Sequence, residues 1–135
     1  MIVVDSNVLA YLLIEGEKTP VARALFERDP VWHSASFAPL ELTNILATSI
    51  RATRLEDASA NQALAKALAL MENSLHELPH AQVLALANRL RISAYDAFYL
   101  GVSIELGVPL VTEDRRLREA APDRCLSLAQ AAAGE

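Results

Sequence analysis

The sequence predicts an α/β fold in which a central parallel sheet of about five strands is flanked by helices on both faces. Short apolar segments alternate along the chain with longer segments of helical periodicity, and strands joined by helices usually pair in parallel. Hydrophobic residues make up 53% of the chain, and alanine and leucine dominate among them, which favours several helices packed on one core. The length of 135 residues predicts a single domain over residues 1–135.

Five short apolar segments are typical of buried strands, because polar or turn-forming residues end each of them. The first begins at Ile2 and is ended by Asp5, and the third stops before Pro79. The predicted strands span residues 2–4, 31–35, 74–78, 108–112 and 124–128.

Helix boundaries follow from capping residues and from prolines at first-turn positions. Pro20 and Pro39 mark the starts of two helices, Ser93 is a candidate N-cap, and Gly107 is a candidate left-handed stop. The predicted helices span residues 7–14, 20–27, 39–51, 56–73, 80–89, 93–107 and 115–120. The alanine run before Glu135 is interpreted as low-complexity sequence.

Composition and charge exclude several classes of protein. The net charge of −5 argues against a protein that coats nucleic acid through bulk electrostatics. No segment approaches the ~20 apolar residues of a membrane helix, and the N-terminus lacks the basic region of a secretory signal. Cys125 is the single cysteine, so no internal disulfide can form. We therefore expect a soluble, cytoplasmic protein with no membrane association.

Four acidic residues fall where the predicted strands end or where the adjoining helices begin: Asp5, Glu41, Asp96 and Asp114. Ligands of such folds bind beyond the carboxyl ends of the strands, so the four acids are expected at one edge of the sheet. Each acid alone has a structural explanation. Asp5 and Asp114 can cap the helices that follow them, and Asp96 completes an S-x-x-D pattern with Ser93. Glu41 gains from the helix dipole.

Together, the four carboxylates would repel one another unless a cation lay between them. Ligation by oxygen alone favours Mg²⁺ or Mn²⁺, whose retained water can attack a phosphodiester. Ser6 and Asn7 would supply a hydroxyl and an amide beside Asp5. A phosphotransfer or phosphatase domain is a weaker alternative, since it would need a lysine near a strand end and neither Lys18 nor Lys66 is expected there.

Three blocks of the chain resemble the PIN-domain ribonucleases, especially the VapC-type toxins of toxin–antitoxin pairs. The blocks are VVDSNVLAYLL, PLELTNIL and SAYDAFYLGVSIELGVPLVTEDRRL, and their order and spacing match the family from Ile2 to about Leu128. The last block is the most specific. Ser6 stands where the family commonly has threonine and keeps the hydroxyl.

The resemblance implies a PIN-like fold and a metal-dependent endoribonuclease whose acidic quartet, Asp5, Glu41, Asp96 and Asp114, binds Mg²⁺ or Mn²⁺ and cleaves RNA. It further implies supporting roles for Asn7 and Thr112, a cognate VapB-like antitoxin, and a homodimer. The alternative is a PIN-like module that binds RNA or acts as a scaffold with little or no nuclease activity.

Several residues beside the acids stay open at this point. Arg115 and Arg116 follow Asp114 directly and fit either phosphate contact or a solvated helix start. Tyr99 fits either the core or the site. Glu113 is expected to face solvent.

Overall fold

A single sheet of five strands forms the centre of the computed structural model, which describes residues 1–135. The strands are β1 (Ile2–Val4), β2 (Trp32–Ala35), β3 (Leu75–His76), β4 (Leu110–Val111) and β5 (Cys125–Leu126). Their order in the sheet is β3-β2-β1-β4-β5, and every neighbouring pair is parallel. The predicted fold class is confirmed, although β3, β4 and β5 are shorter than the sequence indicated.

Eight helices surround the sheet, and seven of them were predicted within a few residues. They are α1 (Ser6–Leu13), α2 (Thr19–Arg28), α3 (Ala38–Arg51), α4 (Asp57–Leu70), α5 (His80–Leu90), α6 (Ala94–Leu106), α7 (Arg115–Ala120) and α8 (Leu128–Ala133). None of them combines the length and apolar character required to cross a bilayer. Helix α1 contacts α2, α3 and α4, and α5 contacts α6. Right-handed crossovers between parallel strands would put α1 to α4 and α5 to α7 on opposite faces of the sheet.

The prediction was wrong at the C-terminus, where the alanine run forms α8. Ser127 and Gln130 form a capping box, in which each side chain accepts a hydrogen bond from the other residue's backbone N–H. Leu128 and Ala131 are buried, and α8 packs against α2 and β5. Leu128 therefore begins a helix instead of ending the last strand.

The two halves of the sheet extend in opposite directions from the neighbouring strands β1 and β4. After β1 the chain proceeds outward through β2 and β3, and it then returns to place β4 on the other side of β1. Helices therefore leave the carboxyl ends of β1 and β4 toward opposite faces, which opens a crevice at this point. The end of β1 is fixed from the other side as well, because the buried Ser34 hydroxyl donates a hydrogen bond of 2.6 Å to the Val4 carbonyl.

Candidate active site

Asp5 and Asp114, which follow β1 and β4, are joined through one threonine side chain. The Thr112 hydroxyl donates to Asp5 Oδ2 at 2.6 Å and accepts the Asp114 backbone N–H at 3.1 Å. Thr112 is fully buried and Asp5 is 9% exposed. Parallel pairing of β1 with β4 thus brings together two acids that lie more than a hundred residues apart in the sequence.

Both of these acids also cap helices, as their sequence contexts indicated. Asp5 Oδ1 accepts the backbone N–H of Val8 at the start of α1, at 3.0 Å. Asp114 Oδ1 accepts the backbone N–H of Leu117 at the start of α7, at 3.1 Å. Each cap occupies one carboxylate oxygen, so the Asp114 side chain, which is exposed, keeps Oδ2 for another partner.

Glu41 lies in the first turn of α3 and is held by two hydroxyl groups from other helices. The Ser6 hydroxyl on α1 donates to Glu41 Oε1 at 3.1 Å, and the Tyr99 hydroxyl on α6 donates to the same oxygen at 2.6 Å. Ser6 and Tyr99 are buried, while Glu41 is partly exposed. The carboxylate is therefore fixed at Oε1.

Asp96 lies in the first turn of α6, three residues after the helix N-cap. The Ser93 hydroxyl accepts the Asp96 backbone N–H at 3.1 Å. The reciprocal half of a capping box, in which the Asp96 carboxylate would accept the Ser93 N–H, is not formed. The Asp96 carboxylate therefore takes no part in capping the helix.

Burial is the main cause of the unusual ionisation of Asp5. It raises the pKa of the Asp5 carboxyl from 3.8 to about 6, and the hydrogen bonds from Thr112 and Val8 only partly oppose this. The negative charges of Asp96 and Glu41 add to the rise. The two side chains thus lie close enough to Asp5 for their charges to act on it.

The pKa of Asp96 is raised in the same way. Burial is the largest cause, and the charges of Asp114 and Glu41 raise it further. The Ser93 hydroxyl and the Arg116 guanidinium act in the opposite direction. Asp5, Glu41, Asp96 and Asp114, hereafter the acidic cluster, are therefore electrostatically coupled around the strand-end crevice.

The structure does not gather these carboxylates around a single point. No group of three or more histidine, cysteine, aspartate or glutamate side chains is arranged so that it could hold a metal ion. An open pocket adjoins the cluster, and Asn7 lies exposed in its wall without a side-chain hydrogen bond to the protein. The pocket is lined by Ser6, Asn7, Leu40, Glu41, Asn44, Ile45 and Tyr95.

The structure separates the two arginines that follow Asp114. Arg115 is exposed and forms an ion pair with Glu119 one turn along α7, at 3.0 Å. The charge of Arg116 instead acts on Asp96 and lowers its pKa. Arg116 is thus the arginine that lies toward the acidic cluster.

Glu113 was expected to face solvent, but its side chain contacts α8, the helix that was not predicted. Its Oε1 accepts the backbone N–H of Leu128 in the first turn of α8, at 2.8 Å. Its Oε2 lies 3.6 Å from Lys18 Nζ and 3.8 Å from Arg118. Lys18 therefore lies near the end of β4, contrary to prediction, but its partner is Glu113.

Tyr99 is the residue of this site that sequence reasoning left unassigned. It follows Asp96 by three positions, so both residues lie on one face of α6. A D-x-x-Y spacing at the start of a helix was the available signal, but it does not reveal which neighbouring helix the tyrosine contacts.

Comparisons with known proteins identify the family and the fold. The family model described as the PIN domain matches residues 2–122. Ribonuclease VapC3 of Pyrobaculum aerophilum is 28% identical over 125 residues, which cover 90% of this chain and 95% of that protein. The crystal structure of PAE2754 from Pyrobaculum aerophilum has a TM-score of 0.81 at 23% identity, and the match covers 98% of this chain and 94% of the other. The structural likeness supports the fold.

Proposed function

This chain belongs to the PIN-domain family, and on that premise we propose that it is a metal-dependent endoribonuclease, the toxin of a toxin–antitoxin pair. The observation that carries the proposal is the acidic cluster at the strand-end crevice, where the charges of neighbouring carboxylates raise the pKa of Asp5 and that of Asp96. Uncompensated acids cost stability, so their retention at one site favours a function that needs them. The likeness to a protein named ribonuclease VapC3 supports the same substrate class.

The donor set of the cluster fits a hard divalent cation. All of its ligand atoms are carboxylate oxygens, which suit Mg²⁺ or Mn²⁺, and no histidine or cysteine thiolate is part of it. Mg²⁺ usually keeps several waters and needs only one or two direct carboxylates. Carboxylates that do not enclose a single point can still hold such a hydrated ion through its waters. We propose Asp5, Glu41, Asp96 and Asp114 as its ligands, directly or through water.

A bound cation would supply neutralisation of phosphate charge and a lower pKa for water. The protein's own residues would prepare the site for it. Thr112 holds Asp5 and the backbone of Asp114 in a fixed relation. Glu41 and Asp96 are the candidates for orienting or deprotonating the attacking water, and Arg116 is the candidate for contact with an RNA phosphate.

The proposal includes a protein partner. The family resemblance implies a VapB-like antitoxin, and a basic side chain from this partner would be attracted to the acidic cluster, because a guanidinium pairs well with carboxylates. The homodimer that the resemblance implies stays a prediction. A toxin that cleaves cellular RNA would act in the cytoplasm, in agreement with the single, unpaired Cys125.

Induced expression in a bacterial host tests the proposal. We expect growth arrest and RNA cleavage from the wild type, and neither from Asp96→Asn. Asp123→Asn is the matched control, since it removes the same charge from an exposed position and should behave as wild type. Co-expression of the neighbouring gene of the native operon should restore growth and yield a co-purified complex. Tight RNA binding with no cleavage would contradict the nuclease and indicate the RNA-binding module instead.

A further inference from the structure

Glu41 of the acidic cluster is held at one carboxylate oxygen by two hydroxyl groups, and the shorter of the two hydrogen bonds comes from a tyrosine. Three helices meet at Glu41 Oε1, because the acid lies on α3, the Ser6 hydroxyl comes from α1 and the Tyr99 hydroxyl comes from α6. The tyrosine donates the shorter of the two bonds, at 2.6 Å against 3.1 Å. Charge-assisted hydrogen bonds of this length are about twice as strong as neutral ones.

The setting of Tyr99 keeps its hydroxyl in this role. The side chain is 2% exposed, and its ring packs edge-to-face against Phe37, with 5.2 Å between the ring centroids. Burial, and then the hydrogen bond and charge of Glu41, raise the pKa of Tyr99. The phenol therefore remains a proton donor throughout the physiological range.

We propose that Tyr99 is a positioning residue of the active site: together with Ser6 it fixes Oε1 of Glu41, so that the carboxylate presents Oε2 to the crevice. This inference rests on the proposed metal-dependent function. Carboxylates that bind metals are commonly held by hydrogen bonds from neighbouring groups, and loss of such a group typically reduces metal affinity or activity by roughly 10- to 100-fold. Asp96 and Tyr99 share one face of α6, so a single helix would provide one ligand and the support of another.

A merely structural tyrosine would behave differently on substitution. Tyr99→Phe keeps the ring and its packing on Phe37 and removes only the donor to Glu41. If the hydroxyl only stabilised the fold, the variant would melt earlier and bind metal as well as the wild type. If it positions Glu41, metal affinity falls even where the variant is fully folded.

The experiment compares Tyr99→Phe with Tyr11→Phe as the matched control. Tyr11 is a half-buried tyrosine on α1 whose ring lies 4.9 Å from Lys18 Nζ and whose hydroxyl makes no hydrogen bond to the protein. For each protein we would measure Mn²⁺ affinity by calorimetry without RNA, the order of the Glu41 side chain by NMR relaxation without metal, and RNA cleavage.

We expect Tyr99→Phe to bind Mn²⁺ roughly 10- to 100-fold more weakly than wild type. The Glu41 side chain should become more mobile, and kcat should fall with little change in KM for RNA. Tyr11→Phe should match the wild type in all three. Ser6→Ala, which removes the other donor, should show the same changes and serves as a second variant if Tyr99→Phe fails to fold.

The outcomes separate this inference from the proposed function. If the wild type binds Mn²⁺ and cleaves RNA while Tyr99→Phe binds Mn²⁺ equally well with Glu41 equally ordered, the positioning role is overturned and the nuclease stands. If the wild type neither binds Mn²⁺ nor cleaves RNA, the proposed function fails. The mobility of Glu41 in Tyr99→Phe then still decides whether the tyrosine fixes that carboxylate.

Discussion

Replacing Asp5 by asparagine should reduce the stability that the metal-free protein loses as the pH rises from 4 to neutral. The Asp5 carboxylate is 9% exposed, and its burial beside other acids raises its pKa from 3.8 to about 6. Asparagine has nearly the same shape and no charge. Its oxygen can still accept the Val8 N–H and its amide can donate to the Thr112 oxygen, but the buried Thr112 O–H then loses its acceptor, which costs about 1–3 kcal/mol at every pH.

The magnitude and its pH dependence follow from the direction of the shift. The folded protein holds the proton of the Asp5 carboxyl more tightly than the unfolded chain does. The contribution of Asp5 to stability is therefore greatest below about pH 4, falls as the pH rises toward 6, and stays low at higher pH. Each pKa unit corresponds to about 1.4 kcal/mol. The rise therefore implies that ionised Asp5 costs up to about 3 kcal/mol above pH 7, which Asp5→Asn would recover.

Urea unfolding in EDTA at pH 4 and pH 7.5 measures this directly. We expect the unfolding free energy of Asp5→Asn, relative to that of the wild type, to be up to about 3 kcal/mol higher at pH 7.5 than at pH 4. The control is Asp123→Asn, which removes an exposed charge and should change stability by less than about 0.5 kcal/mol at either pH. A stability difference of similar size at both pH values would refute the argument that buried charge is the cause.

Three further predictions concern neighbouring residues. Asp96→Asn should abolish cleavage while leaving the metal-free protein at least as stable as wild type. If Asp96 only stabilised its helix, neutralising it would lower the stability by about 0.3–1 kcal/mol, and melting curves in EDTA distinguish the two. Glu113→Ala should destabilise by about 1–3 kcal/mol, because the Leu128 N–H loses its acceptor, and Glu113→Gln should cost less, as urea unfolding would show. Arg116→Ala, unlike Arg115→Ala, should lower the salt dependence of RNA binding by about 0.7 in log–log slope, measured by fluorescence anisotropy.

The strand-end acids could be located from sequence because their position follows from topology. Once β1 and β4 are identified as parallel strands, Asp5 and Asp114 must lie at the same edge of the sheet. The first-turn positions of Glu41 and Asp96 follow in the same way from the helices that begin at that edge. No side-chain detail is needed for this inference.

The roles of Glu113 and Tyr99 depend on contacts that sequence patterns do not encode. Glu113 accepts a backbone N–H in the first turn of α8. The alanine run was interpreted as low-complexity sequence, so no helix was expected there for Glu113 to contact, although Ser127 and Gln130 carried a capping-box signal. The periodicity of α6 shows that Tyr99 is on an inward face. It does not show that its hydroxyl meets a glutamate 58 positions away.

Cleavage of RNA by the purified protein, first in excess EDTA and then after addition of excess Mn²⁺ or Mg²⁺, tests the central claim most directly. We expect no cleavage in EDTA, because the acidic cluster alone cannot neutralise a phosphate, and recovery of cleavage when either ion is added. Asp96→Asn should remain inactive under both conditions. Undiminished cleavage by the wild type in excess EDTA would contradict the account.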